Sequence, residues 1–524
     1  MRKYSKIRYF MLFFAFVGLL NCSAGISEDN DESENESPLV YTLKPNQEYQ
    51  TVQGFGASDA WACQFVGANW ADEKKEQIAD WLFSSDTDID GNPKGIGLSV
   101  WRFNIGGGST EQGSESDIED SWRRAESFLT GPDQYDWTKQ AGQRWFLEAA
   151  KVRGVEDFIA FVNSPPVLLT ENGKAYSSSP DQYNLAEENY AAYVDFLGTV
   201  LQHFSNDEGI DFNYISPFNE PQWDWMSAGQ EGTPAQNSEI AALTRLLNDK
   251  LEGQSSSTKI EIPETAQIDY LFETSDKEGR GNQVEEFFSS SSENYVGNLS
   301  RVAHKIAGHS YFSTWDFDHR DDVRQTLVEK INTVDPSLEY WMSEYCILED
   351  NDMIQGSGKD LSMTAALYLA RVIHADLTKA NASSWQWWTA ISPYDYKDGL
   401  IYIDRNENDG AVSDSKMLWV LGNYSRFIRP GMKRIEVNDS EVSSMEFSGY
   451  ETDNGKQFVF IIQNYKPIAN EFQLSVDNVD DYNFKAYLTS SGNDENLKLV
   501  NSGSVGDTIT LPGNSVMTVV LEVN

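Results

Sequence analysis

The sequence is poor in cysteine, histidine and basic residues, and each scarcity excludes a class of protein. Its 524 residues include three cysteines and five histidines. Three cysteines cannot build a disulfide scaffold or a structural zinc site, although one disulfide between Cys63 and Cys346 is possible. The 40 Lys and Arg face 82 Asp and Glu, giving a net charge of −42. This charge argues against nucleic acid or an anionic membrane surface as a partner.

Motifs for metals and nucleotides are also missing. The glycine run at residues 106–108 is not followed by the Lys-Ser/Thr pair of a phosphate-binding loop, and no dinucleotide fingerprint surrounds it. The sequence therefore predicts no metal and no cofactor.

The N-terminus predicts a secretion signal rather than part of the fold. Residues 1–22 combine a basic start, an apolar run at residues 10–20 and a cysteine, Cys22. This pattern resembles a bacterial lipoprotein box, which implies lipidation of Cys22, although Asn21 replaces the usual small residue. An ordinary cleaved signal is the alternative.

The stretch after Cys22, residues 23–38, is acidic and predicts a disordered tether. It resembles the surface-export signal of Bacteroidetes-type lipoproteins. We therefore expect an outer-membrane lipoprotein that faces the cell surface and contacts the membrane only through its lipid.

Strand-like runs alternate with amphipathic stretches from residue 51 to 428, which is typical of an α/β fold with parallel strands. Eight predicted strands end near Ser58, Ile105, Asn163, Glu220, Glu264, His309, Glu344 and Thr389. The alternation predicts a (β/α)₈ TIM barrel. Residues 429–524 instead show short runs separated by Asn, Asp, Gly and Ser, which predict a fused antiparallel β-sandwich with residues 39–50 as an added strand.

Two glutamates at predicted strand ends are the candidate catalytic residues. Glu220 follows Asn219, and Glu344 follows Ser343. Paired carboxylates at the mouth of a barrel are used to break glycosidic bonds. We expect Glu220 to be the general acid/base, with a raised pKa, and Glu344 to be an ionised nucleophile. Asn219 is expected to donate to the sugar 2-hydroxyl, or else only to form a turn.

Several motifs together resemble glycoside hydrolase family 30. They are Gln53–Gly56, Ser164–Pro166, Asn172-Gly173, Phe218–Pro221, Ser343-Glu344 and Ser425–Gly431. The resemblance implies a retaining (β/α)₈ enzyme with a fused β-sandwich and the same roles for Glu220 and Glu344. The Ala57–Ala60 segment and the long polar loop after Arg102–Ser109 look closer to the branch that includes endo-β-1,6-galactanases.

Further residues are predicted to bind substrate or to orient the glutamates. His309 and Tyr311 are expected to line the site, unless His309 is only a core residue. Arg102 would hold a carboxylate or a sugar hydroxyl, or form a structural ion pair. Glu264 would contact substrate or Arg102.

Aromatic residues are the expected sugar platforms. Trp385 and Trp387 share one side of the eighth strand and are predicted to stack on a sugar, which would leave Trp388 facing the helices. Trp223 and Trp225 follow Glu220 and would line the cleft or simply pack.

These observations predict a retaining β-glycoside hydrolase that acts on a neutral polysaccharide or oligosaccharide by double displacement, with β-1,6-galactan as the first candidate substrate. The alternatives are a β-1,6-glucanase or xylanase of the same family, a related enzyme acting on arabinofuranosides, and a non-catalytic surface glycan-binding lipoprotein.

Overall fold

A computed structural model describes residues 39–438 and 445–524; the predicted signal peptide, Cys22 and the acidic tether lie outside them. The strands are β1 Leu39–Thr51, β2 Gly54–Ser58, β3 Val100–Asn104, β4 Leu129–Gly131, β5 Gln134–Tyr135, β6 Asp157–Phe161, β7 Tyr214–Ser216, β8 Lys259–Ile260, β9 Pro263–Thr265, β10 Lys305–His309, β11 Glu339–Tyr345, β12 Ser384–Ser392, β13 Gly399–Ile403, β14 Val412–Asp414, β15 Lys433–Val437, β16 Met445–Glu451, β17 Gln457–Asn464, β18 Asn470–Val476, β19 Tyr482–Thr489, β20 Lys498–Ser504, β21 Ile509–Leu511 and β22 Ser515–Val523. The α-helices are α1 Cys63–Asn69, α2 Asp72–Phe83, α3 Ser109–Gln112, α4 Ala141–Val152, α5 Tyr190–His203, α6 Asn237–Gly253, α7 Asp269–Phe272, α8 Gln283–Phe288, α9 Phe317–Val334, α10 Met363–Thr378 and α11 Lys416–Ser425.

The barrel is one parallel sheet that closes on itself. Its strand order is β8-β7-β6-β3-β2-β12-β11-β10-β9. Because β8 and β9 are successive halves of the fifth barrel strand, the two ends of this order meet, and eight strands form a closed ring. The helices lie outside the ring, and the strand residues are nearly all buried, as a sheet covered on both faces requires. The predicted (β/α)₈ fold is confirmed.

Different layers fill the barrel interior. Val100, Ile159 and Trp341 form an apolar cluster inside it. Polar and charged side chains occupy the layers towards the carboxyl ends of the strands, where active sites of such barrels form.

The second sheet has nine strands in the order β20-β19-β22-β17-β16-β15-β1-β18-β21. β1 pairs antiparallel with β15 and parallel with β18, so the segment that precedes the barrel completes the C-terminal sheet. Alternate residues of β19, including Tyr482, Phe484 and Ala486, face a separate apolar core. This is the fused β-sandwich predicted from the sequence.

None of the helices described here is both long enough and apolar enough to cross a bilayer.

Candidate active site

The two predicted catalytic glutamates converge at the carboxyl ends of the barrel strands. Glu220 follows β7 by four residues and has a left-handed φ of 47°, an uncommon conformation that often marks functional sites. Glu344 lies in β11. Both are buried, with 8% and 3% of their surface exposed. One carboxylate oxygen from each, together with a ring nitrogen of His309, lies within 4.8 Å of the other two.

An irregularity in β11 brings Glu344 into the barrel. His309 pairs with Glu344 whereas Gly308 pairs with Met342, so Ser343 is an extra residue at this point. Such a bulge lets two successive side chains face the same side. Ser343 accordingly donates to Glu264 at 2.6 Å, while Glu344 reaches the catalytic layer.

Glu344 is held by one donor on each oxygen. Arg102 Nη1 lies 2.9 Å from Oε2, and the Tyr311 hydroxyl donates to Oε1 at 3.1 Å. The Arg102 guanidinium also stacks 4.4 Å from the centre of the Phe161 ring. Burial raises the pKa of Glu344, and the positive charges of His309 and Arg102 oppose that rise.

His309 bridges two carboxylates. Its Nδ1 lies 3.1 Å from Glu220 Oε1, and its Nε2 lies 3.0 Å from Glu264 Oε2. Burial alone would lower the pKa of His309, but the charge of Glu344 and the hydrogen bonds to Glu220 and Glu264 outweigh it and raise the pKa to about 10. His309 is therefore an imidazolium at neutral pH, with a donor on each nitrogen.

Glu264 lies beneath this layer and has no exposed surface. It accepts from Ser216, Ser343 and His309, and Arg102 lies 3.6 Å away. Burial would raise the pKa of Glu264, but the charges of Arg102 and His309 prevail and lower it. Of the two predicted contacts, the structure places Glu264 against Arg102.

A second buried ion pair lies next to Glu264. Ser216 donates to both Glu261 and Glu264, and Lys305 forms an ion pair with Glu261. Burial raises the pKa of Glu261 to about 7 and lowers that of Lys305 to about 8.

Several buried polar side chains at the carboxyl ends of the barrel strands have atoms without a protein partner. Both side-chain polar atoms of Asn104 and of Asn163, Oδ2 of Asp59 and Oδ1 of Asn219 have no hydrogen-bond partner among the described residues. An unpaired buried polar atom is costly unless a ligand or water satisfies it. Sequence reasoning identified only Asn219 in this group. Asn104 lies two residues after Arg102, and Asn163 lies two residues after Phe161. Residues two apart on a strand share a face, so this spacing would have indicated both asparagines.

The structure does not bring Trp385 and Trp387 into the site. They share one side of β12, as predicted, but it is the outer side: Trp385 Nε1 donates to Asp376 of α10, and Trp387 pairs with Tyr345. A register shift follows Trp387, and Trp388 turns inward.

Trp388 faces the site instead. Its ring centroid lies 5.2 Å from that of Trp61 and 6.3 Å from that of Phe161, the ring on which the Arg102 guanidinium stacks. The sequence predicted the reverse arrangement because strand alternation gives which residues share a side, and not which side faces inward.

The loop after Glu220 is fixed to it through the backbone. Trp225 Nε1 and the Trp223 amide both donate to the Glu220 carbonyl oxygen. Both tryptophans are partly exposed. Cys63 and Cys346 are free buried thiols, so the possible disulfide is not formed.

Among residues 39–438 and 445–524, one group of side chains has the spacing of a metal site: Glu220, His309 and Glu344. Because both nitrogens of His309 face carboxylates and carry protons, the ring has no free lone pair for a metal. The group fits hydrogen-bonded acid-base chemistry better than metal binding.

Comparisons with known proteins agree with this geometry. The family described as O-glycosyl hydrolase family 30 matches residues 39–402. An endo-β-1,6-galactanase of Hypocrea rufa is 27% identical over 414 residues, covering 76% of each chain. The structure of a conserved exported protein from Bacteroides fragilis is 36% identical, covers 92% of this chain and 100% of that one, and has a TM-score of 0.86.

A family 30 xylanase catalytic domain from Talaromyces cellulolyticus, 21% identical, covers 92% of this chain and 99% of that one with a TM-score of 0.66. This likeness shows the shared fold.

Proposed function

Because the chain belongs to O-glycosyl hydrolase family 30, we propose that it is a retaining β-glycosidase that cleaves a neutral polysaccharide by double displacement. A Glu344 oxygen attacks the anomeric carbon while Glu220 donates its proton to the departing glycosidic oxygen. Glu220 then takes a proton from water, whose oxygen attacks the anomeric carbon and releases Glu344.

The short separation of the two carboxyl groups carries this proposal. Their nearest oxygens lie within 4.8 Å. Retaining enzymes hold the groups about 5–5.5 Å apart, whereas inverting enzymes need about 6.5–9.5 Å to seat a water. The close approach of the two carboxylates supports the retaining arrangement.

The surroundings distinguish the two roles. Glu344 accepts hydrogen bonds from Arg102 and Tyr311, and these bonds favour the ionised form that a nucleophile requires. Glu220 has one charged partner, His309.

The polar atoms available to the substrate support a neutral sugar. Asn104, Asn163 and Asn219 offer amide atoms without partners among the described residues. The charge of the Arg102 guanidinium is balanced by two carboxylates, Glu344 and Glu264. β-1,6-Galactan is the first candidate, supported by the similarity to the Hypocrea rufa endo-β-1,6-galactanase. β-1,6-Glucan and substituted xylan are the alternatives.

The catalytic roles are tested with activated aryl β-glycosides. Glu344→Gln and Glu220→Gln should each lower kcat by about 10²–10⁴-fold. The loss for Glu220→Gln should shrink as the leaving group improves, since a good leaving group needs no proton. Glu329→Gln, an exposed change on α9, is the control and should match wild type.

The stereochemistry gives an independent measurement. Proton NMR in the first minutes should show the β-anomer of the product forming first. An α-anomer as the first product would overturn the retaining mechanism. Equal inertness of wild type and both glutamate variants across the sugars, with polysaccharide binding retained, would favour the glycan-binding alternative. A product profile on β-1,6-galactan, β-1,6-glucan and xylan identifies the substrate and separates endo from exo action.

We also propose that Cys22 is lipidated and holds the enzyme at the outer face of the outer membrane, which rests on the sequence of residues 1–38. Radiolabelled palmitate should label the wild type and not Cys22→Ala. Equal labelling of both proteins would contradict the anchor.

A further inference from the structure

Two aromatic side chains remain exposed in the loop that follows β10. Phe312 is 50% exposed and Trp315 is 38% exposed. Phe312 has a φ of 56°, a left-handed conformation that a bulky residue rarely adopts and that tends to occur at ligand sites. Its ring centroid lies 6.2 Å from that of Tyr311, which donates to the nucleophile Glu344. Phe312 is therefore one ring away from the reacting centre.

A cavity of about 360 Å³ opens at this point. Its walls come from the loops after the fifth and sixth barrel strands and from helices α7 and α9, and they include Gln267, Phe272, Tyr311 and Phe312. The volume falls within the ~300–1,000 Å³ usual for small-molecule sites.

The charged lining of this cavity favours a neutral ligand. Asp269, Glu273 and Asp322 contribute carboxylates; His319 also lines it, and no Lys or Arg of the described chain does. Carboxylates accept hydrogen bonds from sugar hydroxyls and repel an acidic sugar.

The cavity lies across the barrel mouth from the unpartnered polar atoms. Asp59, Asn104 and Asn163 follow the first three barrel strands. In a ring of eight strands the fifth stands opposite the first. A sugar that satisfies these groups and turns its anomeric carbon to Glu344 must direct its leaving group towards the loops after strands four to six.

We propose that Phe312 forms the leaving-group subsite and binds, by stacking, the neutral sugar residue that departs in the first step. The assignment rests on the proposed double displacement. The same subsite then admits either water or a second sugar, so it governs transfer of the glycosyl group to an acceptor hydroxyl. In that transfer the acceptor oxygen bonds to the anomeric carbon, its proton passes to Glu220, and Glu344 leaves as a carboxylate.

Transfer of the glycosyl group to an acceptor tests the subsite itself, because the acceptor binds there while the transferred sugar is already bonded to Glu344. The glycosyl-enzyme is formed from whichever aryl β-galactoside, β-glucoside or β-xyloside the wild type cleaves fastest, and the methyl β-glycoside of the same sugar is the acceptor. Wild type should yield a transfer product. Phe312→Gly should lower the ratio of transfer to hydrolysis by up to about tenfold, the range expected for one stacked ring. Because the ratio is set by the glycosyl-enzyme after the aryl group has left, it does not depend on how strongly the aryl group binds the subsite.

The choice of variants separates the ring from the backbone. Glycine suits a positive φ, so Phe312→Gly removes the ring without adding strain. Phe312→Tyr keeps a ring and should keep transfer. Tyr49→Ala, an aromatic of 45% exposure on β1 of the sandwich, is the matched control and should transfer as wild type. Glucuronic acid offered as the acceptor should give no product.

Two results overturn the assignment in different ways. Equal transfer by Phe312→Gly and an active wild type would overturn the subsite alone. A wild type that cleaves none of the aryl β-glycosides would overturn both the subsite and the proposed function.

Discussion

At the residue scale, the site is a balance of buried charges. The carboxylates are Glu220, Glu261, Glu264 and Glu344, and the cations are Arg102, Lys305 and His309. With every group ionised the cluster holds one excess negative charge. A buried uncompensated charge is expensive, so the cluster takes up one proton readily. Burial raises the pKa of Glu261 to about 7, so Glu261 is one place where that proton can reside.

His309 gives this balance a pH dependence. Its pKa is about 10 in the fold, against about 6.5 in an unfolded chain. A group whose pKa is raised on folding stabilises the fold fully below its unfolded pKa, and the contribution is lost as the pH rises towards the folded value. We expect His309→Gln to lower the free energy of unfolding most near pH 6 and progressively less towards pH 10.

Urea unfolding of both proteins at pH 6, 8 and 10 measures this difference. Lys305 has a pKa lowered by burial to about 8 and titrates in both proteins, so most of its effect cancels. His304→Gln, a change at a half-exposed side chain, should have a small effect at every pH. A loss for His309→Gln that is equal at pH 6 and pH 10 would show that His309 is neutral in the fold.

At the scale of single elements, the sequence predicts where strands end better than which way they face. Glu220, His309 and Glu344 were placed correctly at strand ends because apolar runs that stop at polar residues are a local pattern. Trp385 and Trp387 were assigned to the wrong side because alternation along β12 shows which residues share a face and not which face is the inner one. The inner face is set by how the neighbouring strands and helices pack, and no local pattern indicates it.

The contact between α1 and α4 illustrates another feature that only the structure shows. Gly142 lies so close to α1 that an added Cβ would overlap the carbonyl oxygen of Gln64. Gly142→Ala should therefore cost about 1–3 kcal/mol or more, since backbone must move to relieve the overlap. The shift in denaturant midpoint at unchanged m-value measures this cost.

Gly253 at the end of α6 supplies the opposite case. No heavy atom lies within 4 Å of a Cβ built there. Because alanine loses less backbone entropy than glycine in a helix, Gly253→Ala should stabilise the fold by about 0.5–1 kcal/mol. Destabilisation by both alanine variants alike would mean that helix packing does not set the outcome.

At the scale of the whole molecule, the sequence predicted both folds but not how firmly they are joined. Residues 39–524 form one compact unit. Asn423 of α11 is fully buried and exchanges two hydrogen bonds with Thr518 of β22, and Tyr424 bonds Gln463 of β17. Asn423 and Thr518 are 95 residues apart in the sequence, and Tyr424 and Gln463 are 39 apart. No local sequence pattern pairs them. Buried polar groups of the barrel helix α11 are therefore hydrogen-bonded to strands of the sandwich.

This junction predicts that the barrel and the sandwich unfold together. All 15 tryptophans precede residue 429, so tryptophan fluorescence reports on the barrel alone. Thr518→Val in the sandwich removes a partner from the side-chain Nδ2 and from the main-chain carbonyl of Asn423, at about 1–3 kcal/mol for each group left unsatisfied. We expect it to lower the fluorescence midpoint of the barrel, and hydrogen exchange of β17 and β22 should follow the same transition. Thr510→Val, at an exposed position of β21, should stay within about 0.5 kcal/mol of wild type. An unchanged fluorescence midpoint alongside earlier exchange of β22 would show two units that unfold independently.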